Sequence, residues 1–291
     1  MARRINLSQF KSQLRKLEQQ NKNAIRDVNR EISKYNRNVK KAVNDYNREV
    51  RNYNSKVRAN RQKIHRELNR LKNSNVSSRY TVYVKTVYSF NDAYERINED
   101  WERTQLTSTQ QEMLEYFEQE NLNSLSLMNI LTGNETDETY DSDDLQSSRL
   151  DELISISSDL DKRWRGALFS LNPVNPDAAR HFCTSSREIL NQIIETTAPD
   201  ELVFEALPDC AKTERGNPTR RSKIKYLLTR KGLTGEAVEE FVEQDIKNIH
   251  ELFRIFNDGT HGSAGKFEYT KLKAIKKRVE DGILFLIMVA K

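Results

Sequence analysis

Residues 8–72 contain neither glycine nor proline, and no other feature of the 291-residue sequence constrains the fold as strongly. Apolar and aromatic residues recur in this stretch mostly at steps of three and four. Such spacing is typical of the seam of a coiled coil or of a helical hairpin. We therefore expect residues 1–73 to form a long helical arm whose narrow seam is buried against a partner. The seam positions are Phe10, Leu14, Leu17, Ile25, Val28, Ile32, Tyr35, Val39, Ala42, Tyr46, Val50, Tyr53, Val57, Ile64, Leu68 and Leu71.

The predicted arm is strongly basic. Residues 1–72 hold 21 Lys and Arg against 6 Asp and Glu, whereas residues 110–161 hold 14 acidic residues and a single Arg. Spaced cations neutralise a nucleic-acid backbone, so the arm is a candidate for binding a polyanion. The same charges are also typical of the solvated face of a structural coiled coil, and the acidic segment can shield the arm within the chain.

Signals for export and membrane insertion are lacking in the sequence. The first residues, "MARRINLSQF", are followed by more charge rather than by the apolar core of a secretory signal. The longest apolar run, residues 283–290, is too short to cross a bilayer. Two cysteines, Cys183 and Cys210, make no disulfide framework. We expect a cytoplasmic protein that makes no contact with a membrane.

The sequence also lacks the usual motifs for a cofactor or a metal ion. It holds no Gly-rich phosphate loop, no dinucleotide fingerprint and no Ser-His-Asp arrangement. His181, Cys183 and Cys210 have no fourth ligand at a zinc spacing. Asp200 and Glu205 lack the Lys and the strand context of a metal-dependent endonuclease core. We therefore expect neither a cofactor nor a metal site.

Composition divides the rest of the chain into three segments. Residues 74–131 form a middle helical region; within it "RYTVYVKTVYSF" (79–90) has the content of a strand, but no Gly or Pro separates it from the helical pattern that follows. Residues 132–148 are acidic and poor in apolar side chains, as in a flexible linker. Residues 149–291 show the periodicity of about five helices, which by default pack as an antiparallel bundle. The predicted fold class is all-α.

Three helix ends can be predicted from local signals. Asn175 is a suitable N-cap for a helix whose first residue is Pro176. Gly232 suits the end of the helix before it. A helix through Phe256 is expected to stop at the Asn257-Asp258-Gly259 turn.

Side chains suited to a phosphodiester line two of these helices. Arg254 precedes His261 by seven positions, with Asn257 and Asp258 between them. Arginine donates two parallel, charge-assisted hydrogen bonds to phosphate, and histidine exchanges a proton near neutral pH. We predict these four residues as catalytic. The residues predicted to contact nucleic acid are Arg180, Arg187, Arg220, Arg221, Lys223 and His250.

Purely structural roles are the alternative for the same residues. Glu251 and Arg254 lie three positions apart and can pair on the helix surface. His261 can cap the turn at Asn257 and Asp258 without taking part in chemistry.

Four ordered blocks resemble the predicted nuclease domain found beside prokaryotic PIWI-type (Argonaute-like) genes. The blocks run from about residue 161 to the end of the chain: "DKRWRGALFSLNPVNPDAARHFCTSSREIL", "PDC…PTRRSKIKYLL", "ELFRIFNDGTHGSAG" and "AIKKRVEDGILFL". The resemblance implies that the C-terminal half is a nuclease domain. The N-terminal arm resembles no family.

The same half is more loosely similar to the HEPN superfamily of α-helical bundles, many of which are RNases in defence and toxin systems. The HEPN signature sets an Arg, a polar residue and a His close together, usually with two sites facing each other in a dimer. Arg254 and His261 fit its spacing, but Ile255 stands where a polar residue normally follows the Arg. The resemblance implies metal-independent cleavage, and the departure at Ile255 leaves a binding-only version open.

Together these features predict an effector nuclease of prokaryotic defence against phages and mobile elements, with RNA favoured over DNA. The arm is expected to give a homodimer or higher homo-oligomer, or to dock on another defence protein. The alternatives are a non-enzymatic adaptor or sensor and a nucleic-acid-binding structural subunit.

Overall fold

A computed structural model describes residues 6–102, 106–133, 150, 153–172, 175, 177–258 and 269–291, without the side chains of residues 79, 102, 154, 256–258, 269 and 270. These residues form helices and no β-strand, which confirms the predicted all-α fold class. The chain divides into two compact units, Met1–Ala59 and Asn60–Lys291. None of the helices in this part of the chain has the length and apolarity needed to cross a bilayer.

The helices are named in chain order. They are α1 (Leu7–Lys72), α2 (Thr81–Glu102), α3 (Ser108–Leu131), α4 (Leu153–Ile156), α5 (Ser158–Ser170), α6 (Ala178–Thr197), α7 (Asp200–Ala206), α8 (Arg220–Arg230), α9 (Glu236–Asp258) and α10 (Tyr269–Ala290). Residues 81–90 are therefore helical, as favoured from the sequence. Residues 150–172, which were expected to form one or two helices, hold α4 and α5, whereas the short helix α7 was not predicted. The linker predicted at 132–148 lies beyond Gly133 outside the described residues and stays a prediction.

The first helix, α1, is continuous from Leu7 to Lys72. Its last turns belong to the second unit, where Ile64, Leu68 and Leu71 are buried in the core. The Asn60 side-chain amide donates a hydrogen bond to Glu118 in α3 at 2.7 Å. The middle region is part of the same unit, because α2 packs along α9 and α3 packs along α10.

Two of the predicted helix ends are wrong by two residues. The helix expected from Pro176 begins at Ala178, because Asn175 is used to fold the preceding connection: its Oδ1 accepts from the Asp177 backbone at 3.0 Å. The helix expected to stop at Phe256 continues to Asp258, since neither Asn257 nor Asp258 prevents helical hydrogen bonding. The end at Gly232 is confirmed, with a φ of +70° just after α8.

The core of the second unit is centred on four phenylalanines from four helices. Phe90 of α2 lies 4.2 Å from Phe241 of α9 between ring centroids, and Phe117 of α3 lies 4.6 Å from Phe241. Phe285 of α10 meets Phe117 and Phe241 edge-on, each at 5.9 Å. Such tilted and edge-on pairs are favourable beyond the burial of their area. The aromatic cluster therefore holds α2, α3, α9 and α10 together.

A buried arginine joins three of the same helices, α3, α9 and α10. Arg278 of α10 is 1% exposed, and its guanidinium donates to Glu120 of α3 at 2.8 Å and to Asp245 of α9. A third hydrogen bond of 3.2 Å reaches Asn248 of α9. All three acceptors are buried. Because an unpaired charge in such a place costs far more than an exposed one, these contacts fix how the helices sit against one another.

Asn248 extends this buried network to α2. Its Oδ1 accepts from the Tyr83 hydroxyl and the Ser124 hydroxyl, each at 3.1 Å. Its amide donates to Thr86 at 3.0 Å. One face of α9 is thus tied to α2, α3 and α10 by polar contacts in the protein interior. This arrangement fixes the rotation of α9 about its own axis.

Replacement of Arg278 tests the importance of the buried network. We expect Arg278→Met to lower the free energy of unfolding by about 3–5 kcal/mol, because it leaves Asp245 buried without its cation. The matched control is Arg163→Met: Arg163 is an exposed helical arginine that also pairs with an aspartate, Asp159, at 2.7 Å. The control is expected to lose no more than about 0.5 kcal/mol. Equal losses in urea titrations of both variants would contradict a structural role for Arg278.

The pH dependence of stability tests Glu120. Burial raises its pKa to about 8; the Arg278 charge opposes this shift and the Asp245 charge adds to it. A carboxyl with a raised folded-state pKa stabilises fully below its unfolded pKa and loses that effect as pH rises through the folded pKa. The wild-type free energy of unfolding should therefore fall between pH 5 and pH 8 by on the order of 3 kcal/mol more than that of Glu120→Gln. Parallel pH profiles for the two proteins would show that Glu120 is ionised in the fold.

Candidate functional site

Three of the residues predicted to contact nucleic acid converge where α6, α8 and α9 meet. Arg187 lies in α6, Arg220 is the first residue of α8, and His250 lies in the last third of α9. Each side chain is partly buried, and both arginines act electrostatically on His250. We call Arg187, Arg220 and His250 the basic cluster. Sequence spacing alone did not place these residues together, because α6 and α9 are far apart in the chain.

The start of α8 positions Arg220. Thr219 caps the helix, and its hydroxyl accepts from the Ser222 backbone at 3.2 Å. The preceding loop is held by a hydrogen bond from the Thr219 backbone to Ala211 at 2.9 Å. The Ser222 hydroxyl donates to the same carbonyl, also at 2.9 Å. These contacts fix the first turn of α8, from which Arg220 extends toward α9.

The buried network positions His250. Asp245 and Asn248 are held inside by Arg278, and at 3.6 residues per turn His250 and Arg254 lie roughly on the opposite side of α9. That side faces α6 and the start of α8. The interior polar contacts therefore direct the cluster side of α9 outward.

Burial and two nearby positive charges keep the His250 side chain neutral. Burial, and then the positive charges of Arg220 and Arg187, together lower its pKa from the usual value to about 4, while Glu251 acts in the opposite direction. At pH 7 the imidazole is therefore uncharged. A bound anion would relieve the repulsion from the two arginines and raise the pKa of His250.

Two buried nitrogen atoms of the cluster have no hydrogen-bond partner among the described residues. They are Nε2 of His250 and Nε of Arg220. A buried polar atom without a partner is costly, so such a pair indicates a place where a ligand or water supplies the missing contact. An oxyanion suits both atoms, because Nε of arginine is always a donor and a phosphate oxygen accepts readily.

Arg187 is positioned by an aromatic ring. Its guanidinium carbon lies 5.9 Å from the centroid of the Phe253 ring, which is fully buried in α9. A cation over a ring face is attracted by the ring quadrupole. Phe253 was predicted only as a core residue, and its second role as a platform for Arg187 was missed.

The predicted catalytic residues are only partly described. Nε of Arg254 donates to Glu251 at 2.8 Å, and the arginine side chain is 48% exposed. Ile255, which replaces the polar residue of the HEPN signature, is buried in the core. Asn257 and Asp258 are the last residues of α9, but their side chains are not described. His261 lies outside the described residues, so the Arg254–His261 pair stays a prediction.

The remaining predicted contacts lie away from the basic cluster. Arg180 is exposed near Asp177, at 3.6 Å. Arg221 faces three glutamates in the first turns of α9, with nitrogen–oxygen distances of 3.6–4.0 Å. Lys223 is buried, and its ammonium pairs with Asp200 at 2.6 Å and with Glu195. Arg221 and Lys223 are therefore paired with carboxylates, although Lys223 lines the same cavity as Arg220.

Neither the cavities nor the possible metal ligands of the described residues indicate a functional site other than the basic cluster. A cavity of 730 Å³ lies between the end of α1 and α2, lined by residues that include Arg61, His65 and Glu99. Arg254, whose side chain alone among the predicted catalytic residues is described, does not border it. A smaller cavity of 500 Å³ is lined by Arg220, Lys223 and Asp200 and adjoins the start of α8. Within the described ranges, no three His, Cys, Asp or Glu side chains are grouped to hold a metal ion.

Comparison with known proteins bears on the C-terminal half of the chain. No curated protein and no solved structure gives a significant match. Residues 153–286, which include the whole basic cluster, match the model of a family described as predicted pPIWI-associating nuclease. This match confirms, for that segment, the family resemblance that the sequence blocks carry.

Proposed function

We propose that this protein is a metal-independent nuclease that prefers RNA and acts as an effector in prokaryotic defence against phages and mobile elements. The observation that carries the proposal is the basic cluster: Arg187, Arg220 and His250 converge from three helices, with two buried nitrogen atoms open to a ligand. A phosphodiester supplies the negative charge and the acceptor oxygens that this cluster lacks. The family match over residues 153–286 supports the same activity.

In the proposed reaction the cluster holds the phosphate beside the end of α9. Arg187 and Arg220 bind the non-bridging oxygens, and the neutral His250 completes the contact through Nε2. The ribose 2′-hydroxyl attacks phosphorus, the bond to the 5′-oxygen breaks, and a 2′,3′-cyclic phosphate and a 5′-hydroxyl result. His261 takes the proton from the 2′-hydroxyl and delivers it to the departing 5′-oxygen. Arg254 stabilises the charge that develops on the phosphoryl oxygens.

The proposal extends to the assembly. In a HEPN-like homodimer, two such sites would face each other, and Arg254 of each copy would lie near the shared groove. The basic arm would supply oligomerisation or docking on another defence protein, and its cations would add affinity for RNA. Asn257 and Asp258 would shape the backbone between Arg254 and His261.

A non-enzymatic adaptor or nucleic-acid-binding subunit is the second candidate function. A specific observation favours it: Arg254 is paired with Glu251 on its own helix, and Ile255 is turned into the core. In that case the basic cluster binds nucleic acid and no bond is cleaved. Both candidates require Arg187 and Arg220 for binding, and only the nuclease requires His261.

Cleavage of paired substrates tests the proposal. We expect the full chain to cleave a single-stranded RNA in the presence of a metal chelator and to leave the all-deoxy strand of the same sequence intact, because the 2′-hydroxyl is the nucleophile. Loss of the proton-transfer group in His261→Ala, or of charge stabilisation in Arg254→Ala, should slow cleavage by at least about 100-fold. The matched control is Arg163→Ala, which removes an exposed, ion-paired arginine from α5 and should leave the rate unchanged.

Three results would overturn the nuclease: cleavage that the chelator abolishes, equal cleavage of the deoxy strand, or unchanged rates in both site variants. Binding that Arg187→Ala and Arg220→Ala weaken, without any cleavage, would establish the second candidate. The defence role is tested separately by inducible expression with phage challenge. Protection and RNA loss with the wild type, and neither with His261→Ala, are the expected results.

A further inference from the structure

A row of large apolar side chains, interrupted once at Asn21, lies exposed along the first unit. The twelve residues of this row are between 37% and 68% exposed and all lie in α1. Soluble proteins rarely leave so long an apolar row open, and such rows mark interaction surfaces. We call these residues the arm stripe: Leu7, Phe10, Leu14, Leu17, Ile25, Val28, Ile32, Tyr35, Val39, Val43, Tyr46 and Val50.

The arm stripe repeats every 18 residues. Leu7, Ile25 and Val43 are successive members of one such series. Eighteen residues are five turns at 3.6 residues per turn, so the repeat returns to the same side of the helix. A strict seven-residue repeat would instead drift by about 20° per heptad around a straight helix. Two further series follow the same rule: Phe10, Val28 and Tyr46; and Leu14, Ile32 and Val50.

Charge is distributed unevenly around this repeat. By helical geometry, Arg30 and Arg48 lie directly opposite the arm stripe, and most of the arm's other cations lie on the same far side. The charges nearest the stripe are few and mostly acidic, with Glu18, Glu31 and Glu49 among them. The strong positive charge of the arm is therefore kept away from its apolar row.

This distribution decides which partner fits. A helix that lies on a membrane carries its Lys and Arg beside the apolar face, where they reach the lipid headgroups. An acidic partner helix would likewise need cations on the flanks of the stripe. Only one edge of the stripe carries cations, Lys11, Lys22 and Lys40, and the other edge carries Glu31 and Glu49, so neither condition is met on both edges. Two copies of α1 can instead bring their stripes together with their basic faces pointing outward. The apolar positions of two copies also match in spacing, since successive 18-residue blocks present the same apolar positions except where Asn21 stands in place of Val39.

We propose that the arm stripe is the self-association surface of this protein, which pairs with the stripe of a second copy along Leu7–Val50. Because the repeat follows the straight helix, the two helices pack with little supercoil. The paired arm exposes cations on both outer faces. The inference deepens the proposed role of the arm and does not depend on the nuclease reaction.

Sedimentation velocity of the full chain at micromolar concentrations tests the pairing. The protein is freed of nucleic acid and measured in high salt, so that a bridging polyanion does not contribute. The wild type should sediment as a dimer of the 34.1 kDa chain. Ile25→Gln/Ile32→Gln places two polar side chains in the stripe and should weaken dimerisation by roughly 100-fold or more. The control, Arg30→Gln/Arg37→Gln, introduces the same residue twice on the opposite face and should stay dimeric.

Far-ultraviolet circular dichroism gives a second readout. A lone arm helix is poorly stable in water, so the stripe variant should lose helix content while the thermal transition of the second unit is kept. A monomeric wild type, a stripe variant that stays dimeric, or equal dissociation of both variants would overturn the proposal. None of these results depends on RNA cleavage, so the failure of either proposal is recognised separately.

Discussion

The second unit depends on one buried cation. The Arg278 guanidinium contacts α3 through Glu120 and α9 through Asp245 and Asn248, and Asn248 extends the contact to α2. An apolar core of phenylalanines would fill the same space without specifying how each helix is rotated. Charge-assisted hydrogen bonds are directional, so the network selects one arrangement of the four helices. The position of the basic cluster depends on that arrangement. The rotation of α9 that buries Asp245 also places His250 on the opposite side of the helix, which faces α6 and the start of α8.

The two sides of α9 therefore make different polar contacts. Its inner side holds the buried Arg278 guanidinium through Asp245 and Asn248, with only Nε of Arg278 left without a partner among the described residues. On its outer side, Nε2 of His250 and Nε of neighbouring Arg220 also lack a partner among those residues. Two arginines close to a neutral imidazole form a site that gains from an added negative charge. A phosphodiester meets that need with one group. The family match over residues 153–286 and the electrostatics of the cluster both support the proposed phosphodiester ligand.

Local patterns predicted the helices well and the contacts between them poorly. The apolar stripes of α6 and α9, the end at Gly232 and the helical identity of residues 81–90 follow from short-range spacing. The Arg278 network needed information that no local pattern carries, since Glu120 lies 158 positions from Arg278. A hint was present: Asp245 and Asn248 interrupt the apolar face of α9. Likewise, Arg220, Arg221 and Lys223 looked equivalent as a basic run, but successive residues point in different directions around a helix, and only Arg220 reaches the cluster.

The titration of His250 tests this account most directly. Histidine ring signals can be followed by NMR in the free protein and with a bound deoxy oligonucleotide, which cannot be cleaved through a 2′-hydroxyl, and His250→Gln identifies the signal among the four histidines. The account predicts a pKa near 4 in the free protein, because burial, Arg220 and Arg187 disfavour the charged form, and a clear rise when the phosphates bind. A pKa near 6.5 in the free protein, or a value unmoved by a bound oligonucleotide, would contradict it.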